Sequence, residues 1–229
     1  MSFVRLVSYL YMESTPKISD LATHFFKLII HNKESVVKGF RFVYGLIGIA
    51  MLLMAWWIWR SEQMALTYQT SLWSGQLAIV LFCVSILPGI LRRFGIRSMF
   101  TASLMSVRRQ IGVTMFLLSL LHYMGLRLFP VLLGGVPLMI PPPTFEFIGV
   151  LALYSLFALY VTSNDASVKK MGAWWRRLHT MIYGIVWLLF LHTAMQRTSI
   201  WSILIGVFAA LEIASLVYVV AKHHLRHET

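Results

Sequence analysis

Six stretches of the chain stay apolar long enough to cross a bilayer: 42–59, 66–91, 110–129, 145–162, 178–196 and 199–221. A spanning helix needs about 20 such residues, whereas a transmembrane β-strand alternates over only about 10. Backbone groups in hydrocarbon must find partners within their own segment, so each stretch predicts a helix. The predicted fold is all-α: a six-helix transmembrane bundle over 42–221, an N-terminal extension over 1–41 and a basic tail over 222–229.

The polar positions between these stretches give an orientation. Arg5, Lys17, Lys27, Lys33, Lys38, Arg41, Arg92, Arg93, Arg97, Arg108, Arg109, Lys169, Lys170, Arg176, Arg177, Lys222 and Arg226 fall on one side, and only Arg60, Arg127 and Arg197 on the other. Because cytoplasmic segments carry the excess of Lys and Arg, both termini are expected in the cytoplasm. Composition agrees with a lipid-soluble chain: 59% of residues are hydrophobic and 12% charged, against about 25% charged in a soluble domain. The net charge of +12 is not read as a nucleic-acid surface, since the 20 basic residues are dispersed between apolar runs.

The extension lacks the continuous apolar core and small-residue cleavage site of a signal peptide. Within it Ser19-Asp20 can cap a short helix, and Leu21, Phe25, Leu28 and Ile29 recur at helical spacing beside Lys17, Lys27, His31 and Lys33. Two readings stay open: an interfacial helix on the inner leaflet, or a segment that packs on a partner subunit. The outer segment from Phe129-Pro130 to Pro143 carries Gly134-Gly135 and Pro141-Pro142-Pro143, a stiff loop that can cover a cofactor, dock a partner or simply connect. Trp56, Trp57, Trp59, Trp174, Trp175 and Trp201 cluster near helix ends as an aromatic belt would. The lone cysteine, Cys83, is read as a small lipid- or core-facing residue, and no C-x-x-C-H element for covalent haem is present.

Candidate chemistry lies in three histidines. His24, His31, His223, His224 and His227 fall outside the spans, but His122 lies in the third and His179 and His192 in the fifth. Ionisable residues inside a membrane are costly and mark function by default. A neutral imidazole is an axial haem ligand, although a lone intramembrane histidine can equally be a hydrogen-bonded packing residue. Counting from Arg109, His122 lies about 20 Å along its helix; counting from Arg177, His192 lies about 22 Å along its own. The two reach one level in the outer half, where a haem can be held between them. His179 lies about 20 Å lower and can serve only a second, inner haem. On the third helix the level of His179 is occupied by Arg109, a poor ligand whose natural partner is a propionate. The spacing between His179 and His192 also leaves their rings about 140° apart on an ideal helix. Local overwinding near Gly184, or haems on different flanks, would reconcile this. Glu212, in the inner half of the sixth span, can take a quinol proton or pair with an arginine of the inner cluster.

Arg108-Arg109-Gln110-Ile111-Gly112, Leu121-His122, Thr162-Ser163-Asn164-Asp165, Lys170-Met171-Gly172, Trp174-Trp175-Arg176-Arg177-Leu178-His179 and His192 together resemble the ferric-reductase-like transmembrane family. Within it they are most similar to the haem-binding membrane subunits of bacterial periplasmic methionine sulfoxide reductase systems. The resemblance covers roughly residues 66–220. It implies that His122 and His192 are the outer haem pair and His179 an inner ligand. It implies one or two haems b, a multi-pass protein of the bacterial inner membrane, and a periplasmic acceptor containing molybdopterin. The extension of about 40 residues departs from that pattern. No G-x-G-x-x-G loop is present and the sequence ends eight residues after the last span, so electrons are expected from a separate flavoprotein, a bound FMN or the quinol pool. Arg108, Arg109, Arg176 and Arg177 can grip haem propionates or flavin phosphate, or act only as topology signals. The expectation is a haem b electron-transfer subunit in contact with lipid and a periplasmic redox partner. Two alternatives stand beside it: a haem-bearing subunit of a larger respiratory or photosynthetic complex, and a haem-free membrane scaffold or assembly protein.

Overall fold

A computed structural model describes residues 18–137 and 139–227 of the chain. The elements are α1 (Ile18–His31), α2 (Lys33–Trp59), α3 (Met64–Arg93), α4 (Met99–Tyr123), a π-turn (Met124–Leu128), α5 (Phe129–Leu132), α6 (Thr144–Val161), α7 (Asp165–Met171), α8 (Ala173–His179), α9 (Ile182–Gln196) and α10 (Ile200–His227). Among the described residues six helical segments are long and apolar enough to cross a membrane. They are α2, α3, the run Met99–Leu132, α6, the run Ala173–Gln196 and α10. The six expected spans are all present.

The helices overrun the apolar windows where charge ends the hydropathy but not the hydrogen bonding. The third span begins at Met99 rather than near 110 because Ser98 and Thr101 form a reciprocal capping box there. Arg108 and Arg109 therefore sit within a helix and do not mark its start. The first span starts at Lys33, well before residue 42. Ser19 and Asp20 lie inside the first turn of α1. The basic tail is a helical continuation of α10 through residue 227. Arg5 and Lys17 lie outside the described residues.

The radial pattern inverts that of a water-soluble protein. Leu52, Phe42 and Tyr154 are about 70% exposed on the outside of the bundle, whereas Ser71, Ser103, Ser215 and Thr101 are buried. Small hydroxyl residues let helices approach closely. Their own hydrogen bonds close locally: Ser71 Oγ donates to the Thr67 carbonyl at 2.7 Å and Ser215 Oγ to the Glu212 carbonyl at 2.8 Å. The apolar core lies mainly between α3 and α4, around Phe82, Ile86, Ile90, Met115, Phe116 and Leu121. Cys83 is buried in it, as expected of a packing residue.

Two departures from ideal geometry position the site. At residues 124–128 the span that begins with α4 widens into a π-turn. There Gly125 lies so close to Ser71 and Met54 that any Cβ would run into the Ser71 Oγ and the Met54 Sδ. Between α8 and α9 the amides of Thr180, Met181, Tyr183 and Gly184 donate to carbonyls three residues back, as in a 3₁₀-helix. Each such residue turns the chain about 20° more than an α-helical one, so four recover about 80° of the roughly 140° between His179 and His192. The overwinding expected near Gly184 is found there.

α1 lies against the N-terminal end of α4 more than against its sequence neighbour α2. Phe26 meets Phe100 edge-to-face at 5.3 Å, and Ser103 Oγ donates to the Phe26 carbonyl at 2.9 Å. Phe25 and Leu28 face outward, while Phe26 and Ile29 are half-buried.

Candidate functional site

His122 projects from α4 toward α3, and His192 from α9 toward α6. His122 Nδ1 lies 2.8 Å from the Ser71 carbonyl oxygen and His192 Nδ1 lies 2.7 Å from that of Phe145. A carbonyl only accepts, so each Nδ1 carries the proton. Each Nε2 then holds its lone pair free. The two imidazoles are close enough to interact electrostatically, and both are partly buried. α4 and α9 do not pack extensively on each other; α6 braces both. The structure thus places the two histidines within electrostatic range of each other, on helices that α6 braces. Two neutral imidazoles, each with Nδ1–H held by a carbonyl, are the donor set of a bis-imidazole iron site, so these residues fit a haem. Among the described residues no three His, Cys, Asp or Glu side chains cluster so as to hold a bare metal ion.

His179 is held differently. Its ring stacks on Trp175 with centroids 4.0 Å apart. Its Nε2 lies 3.1 Å from Thr162 Oγ1, whose own proton goes to the Ala158 carbonyl at 2.7 Å. Thr162 therefore accepts, and His179 carries its proton on Nε2. Trp175 Nε1 donates to the Thr162 carbonyl at 2.9 Å, so Trp175 is a partner of the histidine as well as a belt residue.

The half of the bundle at the C-terminal end of α3 holds a charged cluster. Arg93 Nη2 pairs with Glu212 Oε2 at 2.6 Å, Arg93 Nε donates to Ser215 Oγ at 2.8 Å, and its guanidinium lies 5.5 Å from the centroid of the Tyr183 ring. Of the two fates considered for Glu212, the structure shows pairing with an arginine. Arg108 points into the same region, within electrostatic range of Tyr183, Glu212, Arg93 and His179. The other three arginines singled out from sequence stay at the surface: Arg109 pairs with exposed Asp165 at 2.8 Å, Arg177 lies over Trp174 at 4.9 Å, and Arg176 is exposed. The bond from Arg109, and then its charge, hold the Asp165 carboxyl below the usual carboxylate range. At the other end of the bundle Arg127, in the π-turn, pairs with Glu146 at 2.6 Å.

Sequence reasoning singled out the histidines and missed what holds them. Gly75, Gly149, Arg93, Thr162, Arg127 and Glu146 were not singled out as site residues. The two glycines did carry a signal, since each stands inside a span where glycine is a poor helix former.

The family described as ferric reductase like transmembrane component matches residues 74–191, a segment that includes His122 and His179 and ends one residue before His192. The protein-methionine-sulfoxide reductase heme-binding subunit MsrQ of Rhizobium meliloti (strain 1021) is 32% identical over 103 residues, 44% of this chain and 48% of that protein. The MsrQ of Agrobacterium fabrum (strain C58 / ATCC 33970) is 28% identical over 107 residues, 46% of this chain and 50% of that protein. The chain spans about half the length of these curated relatives. No solved structure matches significantly. With the family's pattern running through half of the sequence and the helices it describes in place, the chain belongs to the ferric reductase-like transmembrane family.

Proposed function

We propose that the chain is a membrane electron-transfer subunit that holds b-type haem between His122 and His192. The observation that carries this reading is the pair of imidazoles, each anchored through Nδ1 on the carbonyl of a neighbouring helix and within electrostatic range of each other. Haem, when bound, supplies one-electron redox chemistry, and the protein supplies orientation, dielectric and access. His122 and His192 would hold the group through Nε2, and the Ser71 and Phe145 carbonyls fix their ring planes. At the outer rim, Arg127 offers a guanidinium to a propionate in exchange for its pairing with Glu146.

The excess of basic residues supports a topology with both termini on the cytoplasmic side of a bacterial inner membrane, and the outer pair near the periplasm. On that topology electrons enter at the cytoplasmic face from a flavin donor or quinol and leave to a periplasmic acceptor. The printed names of the MsrQ relatives support a methionine sulfoxide reductase as that acceptor. Arg108 is the arginine best placed to hold an anionic group near His179, either a propionate or a flavin phosphate. Arg109, Arg176 and Arg177 hold the inner surface and are offered to the donor. His179 uses its Nε2 on Thr162. It becomes an inner ligand only by giving up that bond or by turning Nδ1 to the iron, so the geometry favours a single outer haem.

The test is a pyridine haemochrome assay with the visible spectrum of purified protein. Wild type is expected to hold haem b with a low-spin bis-imidazole signature. His122→Ala and His192→Ala are each expected to abolish that signature, and His179→Ala to leave it. A colourless protein made under haem-replete conditions, or an unchanged spectrum in both outer variants, overturns the reading.

A further inference from the structure

Both outer histidines rest on their neighbouring helix in the same way. The carbonyl that takes the proton of His122 belongs to Ser71, and the residue four further on is Gly75. The carbonyl that takes the proton of His192 belongs to Phe145, and the residue four further on is Gly149. In an α-helix a carbonyl already accepts the amide of the residue four ahead, so in each case the imidazole shares an acceptor with a glycine N–H. The ring edge reaches that acceptor only because the glycine has no side chain. A Cβ at position 75 would lie 2.5 Å from His122 Nδ1 and 2.9 Å from its Cε1. At position 149 it would lie 2.5 Å from His192 Nδ1 and 2.6 Å from its Cε1. Ordinary contact needs about 3.5 Å, so an alanine displaces the ring by about 1 Å and lengthens its hydrogen bond beyond useful range. Glycine weakens a helix relative to alanine, yet it stands at the one register, in two different helices, where an imidazole must approach the backbone.

We propose that Gly75 and Gly149 are positioning residues: the gap each leaves lets the Ser71 and Phe145 carbonyls hold His122 and His192 as Nδ1–H tautomers with Nε2 aimed at iron. This rests on the haem reading above. The two contacts lie on different pairs of helices, so each glycine would govern one imidazole independently. Alanine is the better helix former, so loss of a ligand in these variants does not follow from a weakened helix. Gly112 on α4 is the control, because a Cβ there meets nothing within 4 Å.

The experiment compares Gly75→Ala, Gly149→Ala and Gly112→Ala with wild type, purified with haem, by visible and electron paramagnetic resonance spectra and by midpoint potential. Gly75→Ala and Gly149→Ala are each expected to keep haem while losing the low-spin signature for a high-spin or mixed one, with a shifted potential, and Gly112→Ala to match wild type. Unchanged spectra and potential in both Gly75→Ala and Gly149→Ala overturn the proposal while leaving the haem reading in place, and a colourless wild type removes the haem reading itself. A measurement on the wild-type protein stands independently of whether a variant folds. Nitrogen-15 NMR of labelled histidines is expected to find the proton on Nδ1 of His122 and His192 and on Nε2 of His179. An unprotonated Nδ1 at either outer histidine overturns the proposal.

Discussion

The Arg93–Glu212 pair should behave as one unit whose halves cannot be removed separately. Its atoms lie 2.6 Å apart, and the side chains are 19% and 4% exposed. Removing one partner of a buried pair costs about 3–5 kcal/mol, because the other is left as an uncompensated charge. Here both orphans keep some support. Without Glu212, Arg93 retains the Ser215 hydroxyl at 2.8 Å and the face of Tyr183. Without Arg93, Glu212 remains within electrostatic range of Arg108. Glu212→Met and Arg93→Met should therefore each fall at the lower end, about 3 kcal/mol. The double variant leaves no orphan charge and should cost only about 3 kcal/mol in total, from lost contacts and imperfect packing, so the coupling is about 3 kcal/mol. The assay is reversible unfolding in mixed micelles by titration with a denaturing detergent, followed by helicity. Single-variant losses that simply add in the double variant, to within about 0.5 kcal/mol, would refute the claim that the two side chains act on each other.

Gly125→Ala should destabilise the bundle by about 1–3 kcal/mol in the same assay, since the added methyl meets Ser71 and Met54 across a packed interface. The Arg109–Asp165 contact should depend on pH in one direction: the folded-state carboxyl titrates below its unfolded value, so the stabilisation is present above the ordinary carboxylate range and is lost as pH falls through the lowered value. Carbon-13 NMR of the carboxyl should follow that titration, and Arg109→Gln should return it toward about 3.9.

The spans were legible because bilayer thickness fixes the length of an apolar helix, and only their ends moved. Ser98 and Thr101 carry the third helix start back to Met99, a local hydrogen-bonding event that hydropathy averages away. A common level for His122 and His192 was legible only as an expectation, from the constant rise per residue of a helix. Their environments were not. The Ser71 and Phe145 carbonyls belong to helices distant in sequence, and backbone acceptors leave no mark in side-chain identity. Arg93 read as a topology charge because nothing local to residue 93 reveals that Glu212 and Ser215, more than 100 positions away, face it. Even the angular mismatch between His179 and His192 was visible in the spacing, and the 3₁₀ bonds at 180–184 resolve most of it.

The placement of α1 against α4 changes how a truncation must be read. Ser103, which anchors α1, and His122 stand on the same helix, about 28 Å apart. Cutting away the first 38 residues strips a clamp from the foot of the rod whose head presents an imidazole. A shortened protein that pales has lost its footing, and its colour speaks for the clamp before it speaks for any absent companion.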